Sequence, residues 1–195
     1  MPVKPASLYR IFNAFNTDGS PRSCFWSIAG PEYRLSSTTL GIKIGYWAKT
    51  PSASFLEVFL RRRDGDYKRK DSVNIDRYTQ ATYHIAEYVP GFELNLYSIA
   101  DAERDGVVLS SIYSDSDEKD AFVRDVYNAG YDGIEYAANH GRDFTCYALF
   151  EATVDKLKTD SMTAAGFHQD SLGNCPAVLE EIILAFDGIA AINFE

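Results

Sequence analysis

The chain has 195 residues, with 19 basic against 28 acidic side chains, so its formal net charge is −9. Hydrophobic residues make up 46% and aromatic residues 14%, which excludes a disordered or low-complexity chain and is typical of one globular domain. The acidity argues against nucleic acid as a partner, because binding to phosphate needs a basic face.

The first predicted strand, over residues 7–15, carries an arginine. Its side chains alternate, so that Leu8, Arg10 and Phe12 lie on one face. A turn-rich segment, 16–21, ends this strand. The sequence therefore predicts a charged side chain inside a largely apolar strand.

A second predicted strand, over residues 40–48, leads into a helix. Thr50 supplies a capping hydroxyl, and Pro51 suits the first helical position. The apolar spacing that follows predicts a helix over 51–62.

Further along the chain, strands are predicted over 81–89 and 92–99. Pro90-Gly91 separates them and indicates a hairpin. A helix follows that begins at residue 115 or 116 and ends at Gly130.

The last predicted elements are two strands, over 134–136 and 145–151, and a helix over 176–187. Strands outnumber helices and show no regular βαβ alternation, so the pattern predicts an α+β fold.

Membrane and metal signals are weak. No apolar run reaches the roughly 18–20 residues of a membrane-spanning helix, and the first residues lack the apolar stretch of a signal peptide. These features predict a cytoplasmic protein without membrane contact.

The cysteines, Cys24, Cys146 and Cys175, form no CxxC pair, and the three histidines have no ligand spacing, so the sequence predicts no metal site.

Basic residues cluster in the segment 61–70, where six Lys and Arg side chains outnumber two aspartates. The segment is interpreted as a solvated helix end and loop. The alternative is a site for an anionic partner, whose binding would then weaken steeply with salt.

Three parts of the chain carry a family resemblance, namely 8–11, 45–58 and 130–134 together with 147–150. They read LYRI, then GYWA followed after one residue by TPSASFLEV, then GYDGI and YALF. These fragments resemble RES-domain proteins, NAD-consuming toxins related in fold to ADP-ribosyltransferases.

The resemblance implies an ADP-ribosyltransferase-like fold of two small packed β-sheets with peripheral helices. This domain would occupy residues 1–160. A helical C-terminal extension, 161–195, would pack on the same domain.

The same resemblance implies a binding site. The family's strand arginine, strand tyrosine and helix glutamate match Arg10, Tyr46 and Glu57. A guanidinium offers charge-assisted donors to a pyrophosphate, and a tyrosine ring stacks on nicotinamide. A carboxylate stabilises the oxocarbenium ion that forms as nicotinamide leaves the ribose.

A second alignment within this superfamily adds Ser27 and Glu135. Residues 25–27, Phe-Trp-Ser, resemble the strand serine of ADP-ribosyltransferases, which implies that Ser27 positions the ribose. Glu135 stands where the RES pattern implies a serine, and would be the substitute carboxylate. The glycine-rich segment of many RES proteins is replaced here by residues 22–27.

Each candidate also has a structural interpretation. Arg10 can pair with a carboxylate, Tyr46 can fill the core, and Glu57 can form a helical ion pair four residues on. Ser27 can end a turn, and Glu135 can face solvent.

The resemblance implies NAD+ as the substrate, without a metal. The reaction would be hydrolysis, phosphorolysis or transfer of ADP-ribose to a macromolecule. The partners would be a protein acceptor or a cognate antitoxin. The alternative is a catalytically inactive module that binds another protein.

Overall fold

The structure is a computed structural model that describes most of the chain. The described residues are 2–3, 5–25, 35, 39–60, 72–104, 117–138, 144–162, 166–187 and 190–194. Two features of the sequence, Ser27 and the basic segment 61–70, lie outside them.

The described residues form ten strands and six α-helices. The strands are β1 (Pro2–Val3), β2 (Leu8–Asn13), β3 (Ile44–Ala48), β4 (Ser72–Ile75), β5 (Tyr83–Tyr88), β6 (Leu94–Ser98), β7 (Gly133–Ala137), β8 (Thr145–Phe150), β9 (Phe167–Ser171) and β10 (Ala191–Phe194). The helices are α1 (Pro51–Phe55), α2 (Arg77–Thr82), α3 (Ile99–Arg104), α4 (Asp117–Asn128), α5 (Glu151–Ser161) and α6 (Pro176–Ala185). A π-helical turn, Leu56–Leu60, continues α1, and a 3-10 turn, Leu172–Asn174, precedes α6. Over the described residues, none of the helices has the length and hydropathy needed to cross a membrane.

Eight of these strands form one mixed sheet in the order β1-β6-β7-β8-β3-β2-β5-β9, and β10 pairs with β4 separately. Within the large sheet β6 and β7 are parallel, and the other pairs are antiparallel. The predicted mixture of strands and helices is confirmed. One large sheet, however, takes the place of the two small sheets that were expected, because a backbone pair between Tyr9 and Ala48 joins β2 to β3.

A hydrophobic core lies on each face of the large sheet. Helices α1, α4 and α6 cover one face, and α5 covers the other through Val154 and Leu157. Leu8 and Phe12 of β2 belong to the core under α5, and Ile11 belongs to the opposite core. The alternation predicted for β2 is therefore confirmed.

Two helix starts follow from capping side chains. The Thr50 hydroxyl accepts the Ala53 amide at 3.1 Å ahead of Pro51, so the predicted start of α1 is confirmed. Asp76 likewise caps α2, a helix that the sequence analysis missed, by accepting the Thr79 amide at 2.7 Å.

The hairpin predicted around Pro90-Gly91 is wrong. β5 pairs with β2 and β9, whereas β6 pairs with β1 and β7 in the other part of the sheet. The Tyr88 hydroxyl donates to the Asp160 carboxylate, and the Gly91 amide donates to the same carboxylate at 3.3 Å. This contact with α5 fixes the connection where the chain leaves β5.

Helix α5 and strand β9 also escaped the sequence analysis. The buried side of α5 is short, with Thr153, Val154 and Leu157 as its buried residues. β9 forms the ladder next to β5 in the large sheet. The described part of 161–195 therefore contains β9 and β10 as well as α6, and the domain boundary at residue 160 stays a prediction.

Gly133 permits close packing between β7 and β8. A Cβ atom added there would lie 2.5 Å from the Ala148 carbonyl oxygen and 2.9 Å from Leu149 Cα. Because backbone atoms cannot move aside cheaply, we expect Gly133→Ala to lower the free energy of unfolding by about 2 kcal/mol, roughly 4–8 °C in Tm.

Gly173→Ala is the matched control for this substitution. An added Cβ there would meet Gln80 Cβ at 3.3 Å and no backbone atom within that distance. We expect a change below about 1 kcal/mol. Calorimetry should separate the two variants, and equal melting temperatures would contradict the packing argument.

Candidate active site

The candidate site lies where β2 and β3 separate. β2 pairs with β5 along all six of its residues, and β3 pairs with β8 along all five. Between β2 and β3 themselves, the described ladder has the one pair Tyr9 with Ala48. We call the stretch between Arg10–Asn13 and Ile44–Trp47 the seam.

The backbone amide of Ile11 on β2 points into the seam. Ala14 donates its amide to the Thr82 carbonyl at 2.9 Å, on the β5 side. Since successive residues of a strand direct their amides to opposite sides, the Ile11 amide points toward β3. It donates to the Ser54 hydroxyl of α1 at 2.7 Å. A helix side chain thus occupies the place of a strand partner.

Arg10 lies on the β2 edge of the seam and is 8% exposed. Its side chain shares a sheet face with Leu8 and Phe12, and its Nη1 atom is fully buried. The positive charge of the guanidinium also influences the pKa of the Cys24 thiol. Burial raises the pKa of the Cys24 thiol to about 11, and the Arg10 charge opposes this rise only in part. The thiol is therefore protonated at neutral pH, as expected of a cysteine that packs rather than reacts.

Tyr46 lies on the β3 edge of the seam but faces the opposite side of the sheet. Its half-buried ring meets Tyr136 edge to face, with centroids 6.5 Å apart and an interplanar angle of 85°. Its hydroxyl accepts the Leu35 amide at 3.1 Å. Arg10 and Tyr46 therefore border the same seam from opposite faces.

Glu57 lies in the π-helical turn that follows α1. The helix predicted over 51–62 is correct in position, but the structure changes its winding at Leu56, and residues 61–62 lie outside the described residues. Glu57 is half-buried, and its Oε1 atom is fully buried. π-Helical turns within helices are frequent at functional sites, and this one holds a carboxylate partly out of water.

Glu135 lies on the same face of the sheet as Arg10, because its neighbours Ile134 and Tyr136 belong to the opposite core. It lies on β7, three strands from β2 in the sheet order, so its Cα is roughly 14 Å from that of Arg10. Its register partner on β8 is Tyr147. Burial raises the pKa of Tyr147 to about 12, and the negative charge of Glu135 adds to the rise.

The sequence analysis missed two polar residues at the seam, Ser54 and Trp47. Ser54 is 6% exposed, and a small polar side chain on the buried side of α1 was the signal that could have revealed it. Trp47 shares a face with Arg10, and its buried indole N–H has no hydrogen-bond partner in the described part of the chain. The strand pairing places Trp47 at the seam, and the hydrogen bond from the Ile11 amide places Ser54 there.

Metal ligands do not gather in the part of the chain that the structure describes. Over those ranges, no three His, Cys, Asp or Glu side chains form a group able to hold an ion.

Comparisons with known proteins give a likeness of fold. No family model matches the chain, and no curated protein is significantly similar to it. The chain is similar to a chain in the crystal structure of the M. tuberculosis MbcT–MbcA toxin–antitoxin complex, with 14% sequence identity and a TM-score of 0.56. The match covers 93% of this chain and 91% of that chain. It extends along nearly the whole chain, beyond the fragments between residues 8 and 150 that carried the family resemblance.

Proposed function

We propose that this chain cleaves the bond between nicotinamide and ribose in NAD+ and acts as the toxin of a toxin–antitoxin pair. The observation that carries the proposal is the seam, which brings Arg10 and Tyr46 to facing strand edges. Glu57 lies on the helix that packs beside the seam, on the same side of the sheet as Tyr46.

Arg10 is the proposed contact for the pyrophosphate of NAD+. A planar guanidinium donates paired, charge-assisted hydrogen bonds to phosphate oxygens. Its position on a central strand holds it rigidly, since β2 is fully paired with β5. A bound dinucleotide would also compensate part of the cost of burying this charge.

Tyr46 and Glu57 are proposed to act at the nicotinamide end. The Tyr46 ring would pack on nicotinamide. As the C1′–N bond breaks, its electron pair leaves with nicotinamide, and the Glu57 carboxylate stabilises the positive charge on the ribose. In hydrolysis, water then bonds to C1′ and releases a proton, which yields ADP-ribose.

A ligand that contacts all three residues must reach across the seam, because Arg10 and Tyr46 face opposite sides. The loss of pairing beyond Tyr9 and Ala48 provides the place where a ligand can do so. Ser27 remains the residue proposed to position the ribose. Glu135, on the same face of the sheet as Arg10, is the alternative carboxylate for the role of Glu57.

The toxin assignment draws on the likeness in fold to a chain of a toxin–antitoxin complex. A cognate protein antitoxin is the corresponding partner, and the cytoplasm is the proposed place of action. Transfer of ADP-ribose to a protein acceptor is the other outcome of the same cleavage.

Nicotinamide release tests the proposal directly. The purified chain is incubated with NAD+, with and without cell lysate as a source of acceptor, and free nicotinamide is followed by chromatography. We expect release, with ADP-ribose as the coproduct if water is the acceptor. No release under either condition would contradict the enzymatic function.

A second candidate is a protein-binding module that retains the fold without the reaction. The burial of Arg10 favours it, because a residue that is 8% exposed is suited to a structural role in the core. This function predicts stable binding of a partner protein by a chain that releases no nicotinamide.

A further inference from the structure

We propose that Ser54 is a positioning residue that holds β2 and β3 apart, so that the seam can take a dinucleotide. The identity of the ligand rests on the proposed function. The separation of the strands rests on the hydrogen bonds of β2, β3 and α1, without reference to a ligand.

In an uninterrupted β2–β3 ladder, the Ile11 amide would donate to the Tyr46 carbonyl. The Lys49 amide donates to the Thr145 carbonyl at 2.9 Å, on the β8 side. The backbone N–H and C=O groups of Ala48 therefore point toward β2. By the same alternation, the backbone groups of Tyr46, two residues earlier, also point toward β2.

With Tyr9 paired to Ala48, antiparallel geometry would place the next pair at Ile11 and Tyr46. The Ile11 amide instead donates to Ser54 at 2.7 Å. One side chain of α1 thus ends the β2–β3 ladder.

The start of α1 fixes where Ser54 lies. The Thr50 hydroxyl caps the helix, Pro51 occupies its first turn, and the Ser54 amide donates to the Thr50 carbonyl at 3.2 Å. Ser54 is also 6% exposed, so water does not replace its hydroxyl easily. Its position is set by the helix and is independent of any ligand.

The distance between β2 and β3 matters because Arg10 and Tyr46 flank this hydrogen bond. Arg10 precedes Ile11 on β2, and Tyr46 lies across from Ile11 on β3. If the acceptor is lost, the Ile11 amide must remain buried without a partner or move to find one. Such a movement displaces Arg10 relative to Tyr46, whereas an amide left without a partner weakens the hold on this part of β2. A displacement of about 1 Å at a binding site can reduce kcat/KM about a hundredfold, and the loss falls mainly on KM when the displaced groups bind the substrate.

Ser54→Ala tests the proposal on the full-length chain. We expect amide hydrogen exchange at Ile11, followed by NMR, to accelerate at least about tenfold. We expect kcat/KM for NAD+ to fall about a hundredfold, mainly through KM. Ser54→Thr keeps the hydroxyl and should restore both values. Ser54→Cys has a weaker acceptor and should be intermediate, and it serves if the alanine variant does not fold.

Thr153→Ala is the matched control, since it also removes a buried hydroxyl that makes one hydrogen bond. Thr153 lies on α5 and donates to the Asp132 carboxylate, just before β7, at 3.1 Å. It should lower Tm without altering Ile11 exchange or KM. Unchanged Ile11 exchange in Ser54→Ala would overturn the proposal, as would equal losses of kcat/KM in Ser54→Ala and Thr153→Ala. If the parent chain releases no nicotinamide but Ile11 exchange responds as expected, the proposed function fails and the role of Ser54 between the strands stands.

Discussion

Glu57→Gln should lower nicotinamide release from NAD+ by about a hundredfold to a thousandfold, while the Kd for NAD+ stays within about threefold. Glutamine has nearly the same shape but carries no charge to stabilise the positive ribose. The effect should fall on kcat, because the carboxylate acts where charge develops in the transition state. Single-turnover kinetics and equilibrium binding of NAD+ measure the two quantities separately.

Glu135→Gln is the matched control, because it makes the same change on the same sheet. Glu135 lies three strands from Arg10, so we expect its kcat to remain within about twofold of the parent value. A large loss in Glu135→Gln with normal kcat in Glu57→Gln would reverse the assignment of the carboxylate. Equal losses in both would contradict a site centred on the seam.

Arg10→Ala should weaken NAD+ binding about a hundredfold, measured by calorimetric titration. The guanidinium is the proposed partner of the pyrophosphate. A charge-assisted hydrogen bond is roughly twice as strong as a neutral one, and a guanidinium forms two of them in parallel. Arg10→Lys keeps the charge but loses the planar pair of donors, so its affinity should lie between those of alanine and the parent.

Arg22→Ala provides the comparison for Arg10→Ala. Arg22 is half-buried and donates from Nε to the Asn16 side chain at 3.2 Å, so its loss should leave NAD+ affinity unchanged. Arg10→Ala should also raise the pKa of the Cys24 thiol above about 11, because the positive charge that favours the thiolate is removed. If Arg10→Ala binds NAD+ as the parent does, the guanidinium is a structural group.

Elements with a clear apolar pattern could be predicted from the sequence. The helix at Pro176 and the strand that begins at Thr145 were found within two residues of their observed ends. Their inward side chains recur at the spacing of the element, so each carries its own signal. The same holds for the faces of β2.

Pairing between strands could not be predicted in the same way. Pro90-Gly91 is a local turn signal, but the partners of β5 and β6 were decided by contacts far away in the chain, including that between Tyr88 and Asp160. Helix α5 has few buried residues, so its pattern was too short to recognise. Such contacts depend on which surfaces meet, and one segment does not contain that information.

The resemblance of the sequence to RES-domain proteins supplied the candidate residues Arg10, Tyr46 and Glu57. The apolar pattern of the sequence by itself determined the strands around the first two, because residue type and spacing are local properties. The tertiary structure decided that Arg10 and Tyr46 border one seam, that Glu135 lies three strands from Arg10 on the same face of the sheet, and that Glu57 occupies a π-helical turn. It also decided the role of Ser54. Serine in a short helix has no distinctive pattern, and its hydroxyl gains a role only where folding brings the Ile11 amide within hydrogen-bond distance and removes both groups from water.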